Sequence, residues 1–182
     1  MKPVGYLLNT KEALTGERGL YYDYILGSNG LFVRAQNKVL TATVRLSTAN
    51  VRGLAPVKPE LKLLWGKIPQ HLYYLSVSVF ATDPEHEHYI AIVHNNGYRL
   101  AYPTQERTEA SVLYECVDNR VMDIHSHANM TSFFSGIDNH DEQGLALYTV
   151  IGELHMLIPT SQIRVGVYGY YAPLEFSEVF DV

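Results

Sequence analysis

Two histidines placed one residue apart could grip a metal ion together with a nearby carboxylate. His125 and His127 follow the apolar residues Val121 and Ile124, a pattern typical of a strand that is ending. Because side chains alternate along a strand, both imidazoles leave the same face. Two neutral imidazoles and one carboxylate leave the fourth position of a tetrahedral zinc ion open to water, as catalytic zinc sites do. The stretch therefore predicts a catalytic zinc centre.

The carboxylate comes from a helix start that follows this strand. Ser135 and Asp138 lie three residues apart, the spacing of a capping box in which Ser135 is the N-cap. Such a cap aims Asp138 back toward the end of the strand. We therefore expect His125, His127 and Asp138 to bind one zinc ion per chain.

A family resemblance follows from these residues. The pattern His125-x-His127, seven residues, Ser135-x-x-Asp138 resembles the signature of the JAMM (MPN+) zinc metalloproteases, and all four positions fit. The strings D-I-H-S-H, F-F-S, D-x-x-D-E-Q-G and R-V-G-V-Y-G-Y resemble more narrowly PRTRC system protein A, a bacterial JAB-domain family. The resemblance covers residues 61–174 and implies an MPN/JAB-type, cytidine deaminase-like fold, with a mixed β-sheet flanked by helices.

The resemblance also implies a general base and an oxyanion donor. The base is a glutamate immediately ahead of an apolar strand, and Glu87, which precedes the apolar run 88–93, fits best. Glu85 follows Pro84 in a turn and stays open as the alternative, because both carboxylates leave the same face. The Ser135 hydroxyl would stabilise the tetrahedral oxyanion in addition to capping the helix.

Other polar and aromatic residues near these positions receive a structural interpretation. We expect the run of carboxylates and imidazoles at 85–88 to be a solvated strand entrance in which one carboxylate is functional, instead of a second metal site, since alternation separates its glutamates from its histidines. Phe133 and Phe134 are expected to pack in the core or the site wall. We expect three polar residues of the helix after Ser135 to be solvated, namely His140, Asp141 and Glu142. His140 or Asp141 could also contact a metal-binding side chain.

The function implied by the resemblance is that of a zinc-dependent metallopeptidase or isopeptidase. Its substrate would be the C-terminus of a ubiquitin-like protein or of a sulfur-carrier protein, bound by strand addition. Other proteins of the same bacterial system are expected partners. A non-catalytic MPN-type scaffold is the alternative, although such proteins usually lack the ligands that this chain keeps. A third possibility is a zinc hydrolase of another class, such as an amidase or a deaminase. The deaminase needs H-x-E followed by P-C-x-x-C, which a chain with Cys116 as its only cysteine does not have.

The whole chain sets further bounds. Its 182 residues suit one domain with a small appendage, and its net charge of −5 argues against a nucleic-acid-binding protein. A single cysteine excludes a disulfide framework and favours the cytoplasm. Cys116 lies in a predicted strand, where we expect a buried, inert thiol. No apolar run is long enough for a signal peptide or a membrane span.

The patterns along the chain predict an α+β fold with an N-terminal β-meander. Three β-prone runs between residues 19 and 46 are separated by turn signals, and a Gly/Pro-punctuated connection follows at 50–59. We accordingly expect a β-rich extension over residues 1–60, packed on a catalytic domain over residues 61–182. The run 70–80 has helical spacing and predicts a helix that ends near residues 82–84, with a strand over 73–80 as the alternative.

The second half of the chain is predicted to be mostly strands. The expected elements are a hairpin with an Asn-Gly turn over 84–102, a polar connection over 103–109, a strand over 110–117, the metal strand and its helix over 122–145, and strands over 147–154 and 163–171.

Overall fold

A computed structural model describes residues 2–115 and 117–182, and strands predominate over helices in it. The predicted α+β class is confirmed. The chain is divided into two compact units. The first unit comprises the residues up to Trp65 together with Gln143–Leu145 and Val165–Ala172. The second unit comprises Gly66–Glu142, Ala146–Arg164 and Pro173–Val182. The division into an extension over 1–60 and a catalytic domain over 61–182 stays a prediction. Cys116, the expected inert thiol, lies outside the described residues.

The first unit is organised around a six-stranded sheet in the order β2-β1-β3-β4-β5-β6. Its strands are β1 (Lys2–Asn9), β2 (Leu14–Glu17), β3 (Gly19–Gly27), β4 (Gly30–Gln36), β5 (Leu40–Thr48) and β6 (Glu60–Leu63). The predicted meander is confirmed, because β3, β4 and β5 pair antiparallel in succession. The other three strands were not predicted, and β1 pairs parallel with β3.

The second unit begins with the helix that the spacing predicts. After β7 (Ile68–Pro69), α1 covers Gln70–Phe80, and its buried residues Leu72, Tyr73, Ser76 and Phe80 form one face. The helix is therefore confirmed over the alternative strand. At the end of the chain, α3 (Phe176–Val179) leads into β16 (Phe180–Asp181), which pairs parallel with β7. None of the helices among the described residues has the length and apolar character needed to cross a membrane.

A second six-stranded sheet has the order β15-β14-β13-β12-β8-β9. Its strands are β8 (Tyr89–His94), β9 (Tyr98–Ala101), β12 (Arg120–Ser126), β13 (Leu145–Gly152), β14 (Thr160–Val167) and β15 (Tyr170–Leu174). The predicted hairpin is confirmed by the antiparallel pairing of β8 with β9. Strand β12 pairs antiparallel with β8 and parallel with β13, and it is buried from Val121 to Ser126. The metal strand is therefore held along both edges.

Predicted boundaries were wrong at three places along the chain. The polar connection contains β10 (Gln105–Arg107), which pairs with β11 (Val112–Tyr114), the short remainder of the strand predicted over 110–117. The helix after the metal strand, α2, covers only Gly136–Asp141, and Gly144 has a positive φ of 114° before β13 begins. The strand predicted over 163–171 is broken by a turn at Tyr168 and Gly169, both with positive φ.

Candidate metal centre

The two histidines lie where β12 ends. His125 is on the strand, and His127 is the first residue beyond it, with its backbone N–H donating to the Ile151 carbonyl of β13 at 2.8 Å. This bond extends the sheet pairing past the strand end, so both imidazoles keep the alternation that puts them on one face. Both side chains are buried, and their Nε2 atoms are 3.2 Å apart. The backbone then turns at Ala128, whose φ is 47°.

The capping box predicted at the start of α2 is present. The Asp138 N–H donates to Ser135 Oγ at 3.2 Å, and the Ser135 N–H donates to Asp138 Oδ2 at 2.5 Å. The carboxylate that closes the cap also faces the histidines, with Oδ1 at 3.2 Å from His125 Nε2 and Oδ2 at 3.9 Å from His127 Nε2. The structure thus brings the three predicted ligands together.

The spacing of these atoms fits a tetrahedral ion. The nitrogen and oxygen atoms offered by the three residues all lie within 4.8 Å of one another. Ligands placed about 2.0–2.2 Å from a zinc ion in tetrahedral geometry are about 3.3–3.6 Å apart. His125 Nε2 lies 3.2 Å from both His127 Nε2 and Asp138 Oδ1, which is close to that range, and His127 Nε2 lies 3.9 Å from the other carboxylate oxygen, Oδ2. The three residues could therefore hold a metal ion after a small rearrangement.

The electrostatics of the site keep two of the ligands deprotonated. Burial lowers the pKa of His127, and the adjacent His125 lowers it further. Burial alone would raise the pKa of Asp138, but its hydrogen bond and charge interaction with His125, together with its bonds to Ser135, hold it well below the ordinary value. Metal ligation requires a neutral imidazole and an ionised carboxylate, and both are present at neutral pH.

Glu87 lies in the pocket that contains the three ligands, whereas Glu85 is exposed and does not line it. Only 7 % of the Glu87 surface is accessible. Burial raises the pKa of Glu87 to about 7, with His125 acting against this shift and Asp138 adding to it. A carboxylate with this pKa can take up and release a proton near neutral pH.

The interpretation of residues 85–88 as a solvated strand entrance was wrong for Glu87 and His88, whereas Glu85 is exposed as predicted. Strand β8 begins only at Tyr89, and both Glu87 and His88 are buried ahead of it. The His88 ring lies beside Phe80, and its Nε2 is 2.8 Å from the Asp83 carbonyl oxygen. The Glu87 side chain thus lines the pocket, whereas the His88 side chain packs beside Phe80. The two side chains lie in different environments, as the alternation of the segment predicts.

The pocket around the ligands has a volume of about 200 Å³ and an apolar rim. Phe133 packs edge-on against the His127 ring at 4.7 Å, which agrees with its predicted place in the site wall. Ile137 on α2 is 71 % exposed and lines the same pocket. Residues of β11 and of the turn before it also line the pocket, and they include Ala110, Val112 and Tyr114.

Two buried ion pairs beside the ligands were missed in the sequence. Asp123 shares the face of β12 with His125, and it accepts a bond from the Tyr89 hydroxyl at 2.5 Å and lies 2.8 Å from Arg120. Strand alternation could have placed Asp123 here. Glu142, predicted to be solvated, is instead buried, and it forms an ion pair with Arg164 of β14.

The remaining predicted residues of the helix are exposed. His140 Nδ1 lies 3.0 Å from Asp141 Oδ1, and the side chains of both residues are mostly accessible to solvent. Asp141 also lines the pocket. The site is thus built from one strand end, one helix start and the segment that precedes β8.

Comparison of the sequence with models of protein families and with curated proteins finds no match.

Proposed function

We propose that this chain is a zinc-dependent metallopeptidase or isopeptidase of the JAMM type, with the MPN/JAB-type fold. The observation that carries the proposal is the convergence of His125, His127 and Asp138 in a pocket that also contains Glu87 and Ser135. Three ligands with an open fourth position, a carboxylate poised near neutral pH and a hydroxyl donor are the groups that amide hydrolysis needs.

Each residue has a distinct part in this proposal. When bound, zinc supplies Lewis-acid chemistry that makes a water molecule nucleophilic at neutral pH. Glu87 takes a proton from the attacking water and delivers it to the departing amine nitrogen. Ser135 Oγ accepts the Asp138 N–H, and since a hydroxyl has one donor as well as its acceptor positions, its O–H can bind the developing oxyanion. No protein nucleophile is required.

The shape of the pocket is compatible with an extended, narrow substrate. A volume of about 200 Å³ leaves room for the end of a peptide tail, and the apolar side chains of Phe133 and Ile137 line the pocket that would receive it. We propose the C-terminal tail of a ubiquitin-like or sulfur-carrier-like protein as the substrate. We also propose that the protein acts in the cytoplasm and that its partners are other proteins of the same bacterial system.

The experiment uses the full chain and a ubiquitin-like protein carrying a short C-terminal extension. Elemental analysis of the purified protein should find one zinc per chain, and the zinc-loaded protein should release the extension. Cleavage should stop in the presence of a zinc chelator and return when zinc is restored. A zinc-loaded protein that leaves every fusion intact would favour the non-catalytic scaffold, and a purified protein with no affinity for zinc would refute the metal site.

A further inference from the structure

The helix that carries Asp138 has no hydrophobic anchor. Helix α2 is six residues long, and none of them is buried. Its only large apolar side chain, Ile137, is 71 % exposed. Helices this short do not persist in water on their own, because nucleation is unfavourable and most helical stability in proteins comes from packing. Polar contacts must therefore keep the Asp138 carboxylate opposite the two histidines.

Arg164 supplies such contacts at the C-terminal end of α2. Its guanidinium donates from Nη1 to Asn139 Oδ1 at 2.6 Å, and from Nε to Glu142 Oε2 at 2.9 Å, with a further bond from Nη2 to the same carboxylate oxygen. Asn139 lies directly after the ligand, and Glu142 caps the helix with its N–H bonded to the Asp138 carbonyl. The guanidinium is therefore bonded to two side chains that are three residues apart, about one helical turn, at the C-terminal end of α2.

The guanidinium is itself fixed in place. Only 6 % of the Arg164 surface is accessible, and the residue belongs to β14, so its backbone is part of the sheet. Its central carbon lies 3.7 Å from the centre of the Phe134 ring, which is a cation–π arrangement. The Phe134 ring in turn lies 6.4 Å from the His125 ring. A rigid, planar donor on the sheet is thus connected to both elements that carry metal ligands.

We propose that Arg164 is a positioning residue of the metal centre, which holds α2 so that the Asp138 carboxylate stays in reach of the ion bound by His125 and His127. This inference rests on the proposed function, since it needs a metal at the site. Arg164 touches neither substrate nor metal. It acts through Asn139 and Glu142, and its loss should weaken metal binding by freeing the third ligand.

A purely structural ion pair would behave differently. If the pair of Arg164 with Glu142 only stabilised the fold, its loss would lower the stability of the protein whether or not Asp138 were present. A positioning role instead predicts coupling between Arg164 and Asp138 in metal affinity. Two residues that act through one another give a non-additive double-mutant cycle, whereas independent residues give an additive one.

The test is a zinc titration of the full chain against a chromophoric chelator. Substitution of partners that orient metal ligands typically costs about 10–100-fold in metal affinity, and Arg164→Met should raise the zinc Kd by about that factor. In an Asp138→Ala background the same substitution should change the Kd by less than about 3-fold, because the ligand it positions is already gone. The absorption bands of bound Co²⁺ should change in Arg164→Met toward those of the Asp138→Ala protein.

The zinc titration also includes a matched control variant and a milder variant. Arg45 also lies over a phenylalanine ring, at 5.3 Å from Phe32, and is far along the chain from the ligands, so Arg45→Met should leave the zinc Kd unchanged. Asn139 is exposed, so Asn139→Ala should fold even if Arg164→Met does not, and it should weaken zinc binding by about 3–10-fold.

The outcomes separate the two proposals. Zinc binding by the wild-type protein together with an unchanged Kd in Arg164→Met, or in Asn139→Ala where Arg164→Met does not fold, would overturn this inference alone. Equal losses in the presence and absence of Asp138 would also overturn it. A wild-type protein that binds no zinc would overturn the proposed function, and this inference with it.

Discussion

Ser126 and His88 are joined by two hydrogen bonds, one to the serine side chain and one to its backbone. The His88 N–H donates to Ser126 Oγ at 2.9 Å, and the Ser126 N–H donates to the His88 carbonyl at 2.9 Å. The Glu87 N–H donates to the Thr108 carbonyl at 2.8 Å. Glu87 is therefore fixed against the strand that bears the histidines, although it precedes β8. This backbone placement restricts where the carboxylate of the proposed base can lie, as proton transfer requires.

Glu87→Gln should abolish hydrolysis while zinc stays bound, because the amide has the shape of the carboxylate but cannot accept the proton. Glu85→Gln is the matched control, since Glu85 is exposed and outside the pocket, and it should keep most of the activity. Initial rates and zinc content are measured on the same preparations. Loss of activity in Glu85→Gln alone would assign the base to Glu85, and full activity in both variants would mean that neither residue is the base.

The buried Glu87 should also give the metal-free protein a characteristic pH dependence of stability. Its pKa is raised from an ordinary value of 4.5 to about 7, so the folded state binds its proton more tightly than the unfolded state. The stabilisation is complete below pH 4.5 and is lost as the pH rises through about 7. Relative to Glu87→Gln, which does not titrate, wild-type protein should lose up to about 3 kcal/mol of unfolding free energy over this interval.

Urea unfolding at several pH values, with a chelator present, measures this difference. Comparison with Glu87→Gln is needed because burial also raises the pKa of Asp123 to about 6 and that of Glu142 to about 7. Those two carboxyls contribute equally to both proteins, so they cancel in the difference. A difference that stays constant from pH 4.5 to pH 7 would show that Glu87 ionises normally.

Removal of any one ligand should release most of the zinc. His127→Ala takes away one of three protein ligands from a site whose side chains are already close together, so elemental analysis should find little zinc in this variant. His71→Ala, at an exposed position of α1, is the control and should retain zinc. Full retention in single variants of His125, His127 and Asp138 would refute the ligand assignment.

Ser135→Ala separates the two roles of this serine. Loss of an N-cap costs about 1 kcal/mol of stability, whereas loss of one oxyanion donor lowers the rate about 100-fold or more. Both effects are expected, with zinc content measured alongside because Ser135 also binds Asp138. Ser78→Ala, an exposed serine of α1, should change neither rate nor stability appreciably. A stability loss with an unchanged rate would make Ser135 a cap only.

Local patterns were enough to predict the parts of the site that are close in sequence. Alternation along a strand placed His125 and His127 on one face, and the three-residue spacing of Ser135 and Asp138 predicted the cap. The helix over Gln70–Phe80 followed from its apolar spacing in the same way. Each of these features depends on interactions within a few residues, which a single sequence contains.

Features that depend on distant partners could not be predicted. No local signal distinguishes Arg164 from a surface arginine, because the carboxylate that buries it, Glu142, is on another element. The pairing of β10 with β11 and the parallel contact of β1 with β3 also join segments whose own patterns are weak. The backbone positions of Glu87 and His88 depend likewise on bonds to Thr108 and Ser126, which follow them by many residues.

The positions of the ligands also give a bound ion a mechanical role. His127 directly follows β12 and is joined to β13 by its N–H bond to the Ile151 carbonyl, and Asp138 belongs to a helix that buries nothing. An ion bound by both would cross-link the two ends of the intervening loop, which contains Phe133 and Phe134. Closing a loop removes conformational freedom from the segment inside it, as a disulfide does. The metal would thus set the rigidity of the pocket wall against which a substrate packs.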